Sequence, residues 1–328
     1  MRLRPGVAID LGTVNTLVYV SGRGIVLEEP SAIAIDRETG GVVAIGDAAD
    51  ALTGKEPQDI DVIHPLREGV IADLDASVAM LQGFMRKVGL RRGLFRGSAV
   101  VCVPSGATWV ERRSLIAAVE AQRPRCRVKL VDEPVAAAAG AGIGLTDGTG
   151  AFMVDIGGGT TEAAVLAGGH VVRSRSLRLA GNAMDEAIMH SVKSELGLLI
   201  GRNAARSLKT TLGLGEGAAE WMEVVGVDAA RRTPRVEYIP GRIVADALNH
   251  TVAAIAESAR EMLSDIPPNL AEDVVRGKIR LAGGGALLPG LASKIEAVAD
   301  IPAFVVDDPL RCVIRGAAEI LERGHQVA

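Results

Sequence analysis

The sequence predicts an α/β protein made of two duplicated halves. Three observations lead there: apolar strands alternate with helical segments, one strand–turn–strand pattern occurs twice about 145 residues apart, and 328 residues suffice for two ordinary domains with separate cores. Hydrophobic residues make up 48% and charged residues 23%, a globular composition and not a disordered one. Aromatics are only 2%, so the cores must be built from Val, Ile, Leu and Ala.

The first copy of the pattern is Val7-Ala-Ile-Asp10-Leu-Gly12-Thr13-Val-Asn15-Thr16-Leu-Val-Tyr-Val20. It reads as an apolar strand, a polar Gly/Thr turn and a second apolar strand. Phe152-Met-Val-Asp155-Ile-Gly157-Gly158-Gly159-Thr160-Thr161-Glu-Ala-Ala-Val-Leu166 repeats it, again with an Asp near the end of the first strand. Glycines let a backbone approach a ligand closely, and successive N–H groups can converge on an anion. A carboxylate beside such a nest repels a bare phosphate, so the Asp suggests an intervening hydrated Mg²⁺. Either hairpin alone is equally well an ordinary turn. Two copies with Asp at the same offset argue for a site, and facing each other across a cleft they could hold both sides of a triphosphate.

Between the hairpins, Ala99 to Val103 reads as a strand ending at Pro104-Ser-Gly106, and Thr108-Trp-Val-Glu111 opens a helix with a capping box. A strand over 128–131 leads into Asp132-Glu133-Pro134, where Asp132 is the expected N-cap and Pro134 is tolerated in the first turn. Val224 to Asp228 and Arg235 to Ile239 read as a hairpin. A third Gly-rich turn, Gly283-Gly284-Gly285, follows a short strand and is expected to open at the N-terminus of the helix near 291–299. Strands alternating with helices imply mixed or parallel sheets covered on both faces.

The balance of 36 basic and 40 acidic residues, formal charge -4, provides no broad basic field for nucleic acid. Cys102, Cys126 and Cys312 are scattered and odd in number, which suits core thiols in a reducing cytosol better than metal ligands. No signal-peptide core follows Met1, and no apolar run approaches the ~20 residues of a spanning helix. The expected location is cytoplasmic unless something tethers the chain. His64, outside every motif, reads as a loop or packing residue.

These residues together resemble the actin/sugar-kinase/heat-shock-chaperone ATPase superfamily and, within it, the rod-shape-determining MreB/Mbl-type bacterial actins. The 10–16 segment is similar to that family's first phosphate motif, 155–162 to its second, and 281–285 to its adenosine motif. Val103-Pro-Ser-Gly106, Val110-Glu-Arg-Arg113, Asp132-Glu-Pro134, Met184-Asp-Glu-Ala-Ile188 and Pro267-Pro268 extend the likeness over roughly residues 6 to 322. The resemblance implies an actin-like ATPase fold: two duplicated ribonuclease H-like lobes, each with a small inserted subdomain, and a nucleotide cleft between them. The first lobe would take 1–145 plus 306–328 with an insert at about 31–65. The second would take 146–305 with an insert at about 181–242.

The resemblance also assigns roles. Asp10 and Asp155 would hold Mg²⁺ through its waters. Backbone amides of Gly12, Thr13 and Asn15 would grip one side of the ATP phosphates and those of Gly157, Gly158 and Gly159 the other. Glu133 would orient the attacking water with help from Thr160, although by itself it is only an acidic residue suited to a helix's first turn. Gly283, Gly284, Gly285 and Lys209 would bind the nucleoside. Relatives carry Glu where this chain has Arg202, Arg206 and Thr211, which implies weaker or less selective nucleotide binding.

Leu94 and Phe95 sit in the basic turn Arg91-Arg92-Gly93-Leu94-Phe95-Arg96. They read either as core residues or, by resemblance, as a loop that dips into the inner face of the cytoplasmic membrane. Implied partners are further copies of the chain in a head-to-tail filament and membrane proteins of cell-wall synthesis or the shape complex. An accessory nucleotide-binding actin with little hydrolysis, and a small-molecule kinase on the same fold, are the alternatives; no sugar-binding cluster supports the kinase.

Overall fold

The computed structural model describes residues 6–90, 97–122, 126–144, 146, 148–215, 220–264 and 266–326. The chain forms two compact units. The first comprises the chain up to Gly148, Gly168–Val171 and the segment from Arg311 onward; the second comprises Thr149–Ala167 and Val172–Leu310.

The first unit is built on a five-stranded sheet in the order Arg127–Asp132, Ser98–Val103, Val7–Leu11, Asn15–Val20, Gly24–Pro30. The first three strands are parallel and the last three form an antiparallel meander. Val7, Ile9, Val18, Val101 and Val103 bury one side chain after another against Met80, Leu81 and Phe84 of the Leu74–Lys87 helix. That helix starts where expected physically: the Asp73 side chain accepts from the Ala76 N–H at 2.9 Å and satisfies a terminal donor. The Trp109–Gln122 helix has the reciprocal capping box, Thr108 N–H to Glu111 Oε2 at 2.6 Å and Glu111 N–H to Thr108 Oγ1 at 3.3 Å. A three-stranded sheet, Val42–Ile45, Ile33–Asp36 and Ile60–Ile63, lies within residues 33–63.

The second unit repeats the plan. Its sheet runs Ala303–Val305, Ile279–Ala282, Ala151–Ile156, Thr161–Ala167, His170–Leu177, so both sheets have the order five-four-one-two-three when their strands are numbered along the chain. Phe152, Val154, Ile156, Leu281 and Ile279 pack with Val252, Ile255 and Ala259 of the long Gly241–Ser264 helix. The expected hairpin is present as Trp221–Asp228 paired antiparallel with Pro234–Pro240. The Leu291–Ala299 helix also forms as expected.

Two local expectations are corrected. The 283–285 glycines do not open directly onto that helix; they lead into a 3₁₀ turn, Gly284–Leu287, which separates them from it. Asp132 stands at the N-cap position of the Glu133–Gly140 helix but does not cap it, because its carboxylate is drawn to Arg112.

Candidate functional site

Parallel strands present their C-terminal ends at one edge of a sheet, the usual place for a ligand in α/β folds. In the first unit Val101 is in register with both Ile9 and Leu130, so the 12–15 turn, the loop after Val103 and the start of the Glu133–Gly140 helix all emerge at that edge. In the second unit Asp155 lies opposite Ala282 and Leu281 opposite Val305, which brings the 157–160 and 283–285 turns to the corresponding edge.

The two hairpin turns are closed identically. Gly12 N–H donates to Asn15 O at 3.1 Å, and Gly157 N–H to Thr160 O at 2.9 Å. Their carbonyls are also drawn back into the protein. Ser31 donates its Oγ–H to Gly12 O at 2.6 Å and its N–H to Val14 O at 2.8 Å. In the second copy Gly181 N–H donates to Gly157 O at 3.2 Å and Asn182 N–H to Gly158 O at 2.8 Å. With the carbonyls held behind, the N–H groups of Thr13, Val14, Gly158 and Gly159 have no acceptor among the described residues. Successive turn N–H groups without an internal acceptor are what an anion-binding nest requires. Of the expected phosphate-binding residues, Gly12 and Gly157 use their N–H groups to close their own turns, and the Asn15 carbonyl accepts the first of these bonds.

Ser31 and Val14 were not signalled by the sequence. Ser31 is fully buried and bonds Thr16 Oγ1 at 2.8 Å as well, so a residue with no motif of its own shapes the first turn. Thr13 uses its Oγ1 to accept from Gly69 N–H at 2.9 Å.

Asp10 and Asp155 occupy equivalent positions, in register with Leu17 and Glu162 in their hairpins. Desolvation raises the Asp10 carboxyl from 3.8 to about 7. Asp155 is buried and lies against the third glycine turn: a Cβ on Gly283, whose φ is +78°, would sit 2.4 Å from Asp155 Oδ1. Only glycine fits there. No cluster of three or more His, Cys, Asp or Glu side chains suited to a metal exists among the described residues. The donor chemistry fits Mg²⁺ in its usual form, a hard cation on one or two carboxylates that keeps most of its waters.

Glu133 is the first residue of its helix and Thr160 is buried in its turn. Arg112 fixes the approach to Glu133: its Nη2 donates to Asp132 Oδ1 at 2.7 Å and to Ser105 O at 3.3 Å, its Nε to Ala107 O at 3.2 Å. Lys209 is held within the second unit, 2.6 Å from Asp185 Oδ1 and donating to Gly181 O at 2.8 Å. Burial lowers its pKa from 10.5, opposed by the Asp185 charge. Arg202 pairs with Glu186 at 3.2 Å, and Arg206 lies 3.7 Å from Asp185 Oδ2. Leu94 and Phe95 lie outside the described residues.

Comparison with known proteins shows the family. The family described as MreB/Mbl protein matches residues 4–328. The chain belongs to the MreB/Mbl family. It is 41% identical over 324 residues to the cell shape-determining protein MreB of Escherichia coli, covering 96% of this chain and 92% of that one. It is 37% identical over 319 residues to the cell shape-determining protein Mbl of Bacillus subtilis, covering 96% and 95%. The crystal structure of MreB5 of Spiroplasma citri bound to ADP superimposes with a TM-score of 0.91 at 33% identity, covering 98% of this chain and 97% of that one. A second structure of that protein is bound to AMPPNP. The fold is thus the two-lobed actin-like α/β fold of the MreB/Mbl family, and the chain is a bacterial actin homologue.

Proposed function

We propose that this bacterial actin binds ATP with Mg²⁺ and assembles head-to-tail into filaments at the inner face of the cytoplasmic membrane, where it serves cell shape and cell-wall synthesis. The observation that carries the reading is the pair of turns whose carbonyls are bonded within the protein and whose N–H groups at Thr13, Val14, Gly158 and Gly159 have no acceptor among the described residues. The ADP and AMPPNP bound to MreB5, and the shape-determining role in the names of MreB and Mbl, support it.

In this reading the outward N–H groups donate to phosphate oxygens and hold them without reorganising. Bound Mg²⁺ would neutralise charge on the phosphates, held through its waters by Asp10 and Asp155. Glu133 orients the attacking water and Thr160 assists it; Gly283, Gly284, Gly285 and Lys209 serve the nucleoside side. Hydrolysis is slow and coupled to assembly. The exchange of acidic residues for Arg202, Arg206 and Thr211 weakens nucleotide selectivity.

No described helix is long and apolar enough to cross a membrane, so attachment is peripheral in this proposal. Leu94 and Phe95 would insert, gaining roughly 3–5 kcal/mol together, and each neighbouring Arg adds about 1 kcal/mol near anionic lipid. One subunit then binds weakly, while a filament presenting many loops binds by avidity. Purified protein with ATP, Mg²⁺ and anionic liposomes should form lipid-bound filaments in electron micrographs. Leu94→Ala with Phe95→Ala should abolish co-sedimentation with liposomes and leave ATP affinity unchanged. Undiminished co-sedimentation of the double variant contradicts the membrane assignment, and phosphate release that stays absent on assembly favours the accessory, non-hydrolysing actin.

A further inference from the structure

The small sheet of Leu198–Leu199, Trp221–Asp228 and Pro234–Pro240 has one face in the core and one in solvent. Val224 and Ile239 are buried in the core of the second unit, and Met222 packs against it. Side chains alternate along a strand, so Trp221, Glu223, Val225 and Val227 point the other way, beside Tyr238, Val236 and Pro234 of the paired strand. The solvent face of such a sheet is ordinarily polar. Here Glu223 is its single charged residue. Trp221, Val225, Val236 and Tyr238 are each more than half exposed.

Trp221 and Tyr238 meet edge to face with ring centroids 5.0 Å apart, and Tyr238 donates its hydroxyl to Glu223, its cross-strand neighbour. The chain has only two tryptophans and two tyrosines, and one of each stands on this surface. Those residue types are the usual anchors of protein interfaces. The patch exposes apolar area on the order of 500 Å², as much as the largest patch on an ordinary monomer. Pro234 and Pro240 close both ends of the outer strand and leave that edge poor in N–H donors. A cover therefore lies over the face and does not extend the sheet. Charge differs between the two ends of the patch: exposed Glu220 and Glu223 at the base of the hairpin, exposed Arg231 and Arg232 at its tip.

We propose that this face pairs with the same face of a second copy of the chain about a two-fold axis. An axis along the strands sets tip against tip and brings the arginines together. An axis across the strands sets tip over base, so Arg231 and Arg232 of each copy meet Glu220 and Glu223 of the other. Opposed charges fix orientation and like charges penalise it, so the hairpins pair tip to base. Val225 and Val236 then lie near the axis, and Trp221 and Tyr238 of one copy cover Val227 and Pro234 of the other. Two patches remove roughly 1,000 Å² from water, the lower end for a specific interface, so one pair is weak and reversible. A two-fold contact closes on itself and cannot lengthen a filament. It joins two filaments side by side, where repetition along their length adds avidity. Joining filaments presupposes the proposed head-to-tail assembly, whereas pairing of two copies does not.

Sedimentation equilibrium of the nucleotide-free chain over a range of concentrations reads the pairing. Wild type should dimerise, and Trp221→Ala with Tyr238→Ala should weaken the dimer at least ~tenfold, as loss of aromatic anchors does. The melting temperature should stay at the wild-type value, because both side chains face solvent. Arg231→Glu with Arg232→Glu should also weaken pairing, and adding Glu220→Arg and Glu223→Arg to that variant should restore it. A wild-type chain that is monomeric at every concentration, or a tip-reversed variant that pairs as wild type does, overturns the proposal. Monomeric wild type that binds anionic lipid vesicles through Trp221 and Tyr238 assigns the patch to lipid and overturns it equally.

Discussion

Asp10→Asn is expected to make the nucleotide-free protein more stable at pH 8 and to stabilise it by less than half as much at pH 5. The folded chain keeps the Asp10 proton up to about pH 7, whereas an unfolded chain releases it near 3.8. Between those values the native state binds more protons than the unfolded state, so stability falls as pH rises. Above pH 7 the fold carries the whole cost of a desolvated carboxylate. Each tenfold change in proton affinity corresponds to ~1.4 kcal/mol, so the neutral amide should recover about 2–4 kcal/mol at pH 8, discounted for partial solvent access. Thermal melts of both proteins across pH 5–8 measure this. A gap that widens with pH supports the assignment, and parallel curves contradict it. The same substitution removes the charge proposed to face the cation, so the stabilised variant should also lose its response to Mg²⁺. A residue that costs stability in the empty protein fits a binding role better than a structural one.

Gly316→Ala is expected to be among the most damaging single substitutions in the first unit. The Cys312–Gln326 helix packs on the Glu133–Gly140 helix with backbones in contact. A Cβ on Gly316 would lie 1.7 Å from Ala136 O, and one on Gly140 would lie 1.9 Å from Cys312 O. Helices this close cannot absorb a methyl group by moving one flexible side chain; they must separate, and overpacking of this kind costs about 3 kcal/mol or more. The helix displaced is the one that begins with Glu133, so ATP turnover should fall together with stability. Gly324→Ala in the same helix is the control, because nothing lies within 4 Å of its Cβ. Helix propensity alone should make that change stabilising by up to about 1 kcal/mol. Chemical denaturation of the two variants separates the close-contact effect from loss of glycine as such. Similar midpoints for both would contradict the packing argument.

What could be read from the sequence was local. The duplicated hairpins were legible because strand alternation, glycine and a carboxylate recur at one offset, and the Thr108–Glu111 capping box was legible because three-residue spacing is fixed by helix geometry. Ser31 escaped because its partners, Gly12, Val14 and Thr16, lie two strands and a turn back along the chain, and a lone buried serine leaves no periodic mark. Val14 escaped because its relevant group is a backbone N–H, which side-chain identity does not report. The cap expected at Asp132 failed for a tertiary reason: Arg112, from another helix, competes for the carboxylate and gains a charge-assisted bond. Glycine in a third turn suggested a helix opening, but Gly283 is there to pass under Asp155 and Ile156. The contact between Gly140 and Gly316 joins distant stretches, and no local pattern announces it.

Titration of AMPPNP into wild type, Asp10→Asn and Asp155→Asn, each with Mg²⁺ and with excess chelator, asks whether both carboxylates act on one bound cation. Wild type should bind far more tightly with the cation than without it, and each single substitution should abolish that difference while the protein remains folded. If either variant kept the full Mg²⁺ enhancement, the two equivalent turns would not be serving the same metal–nucleotide complex.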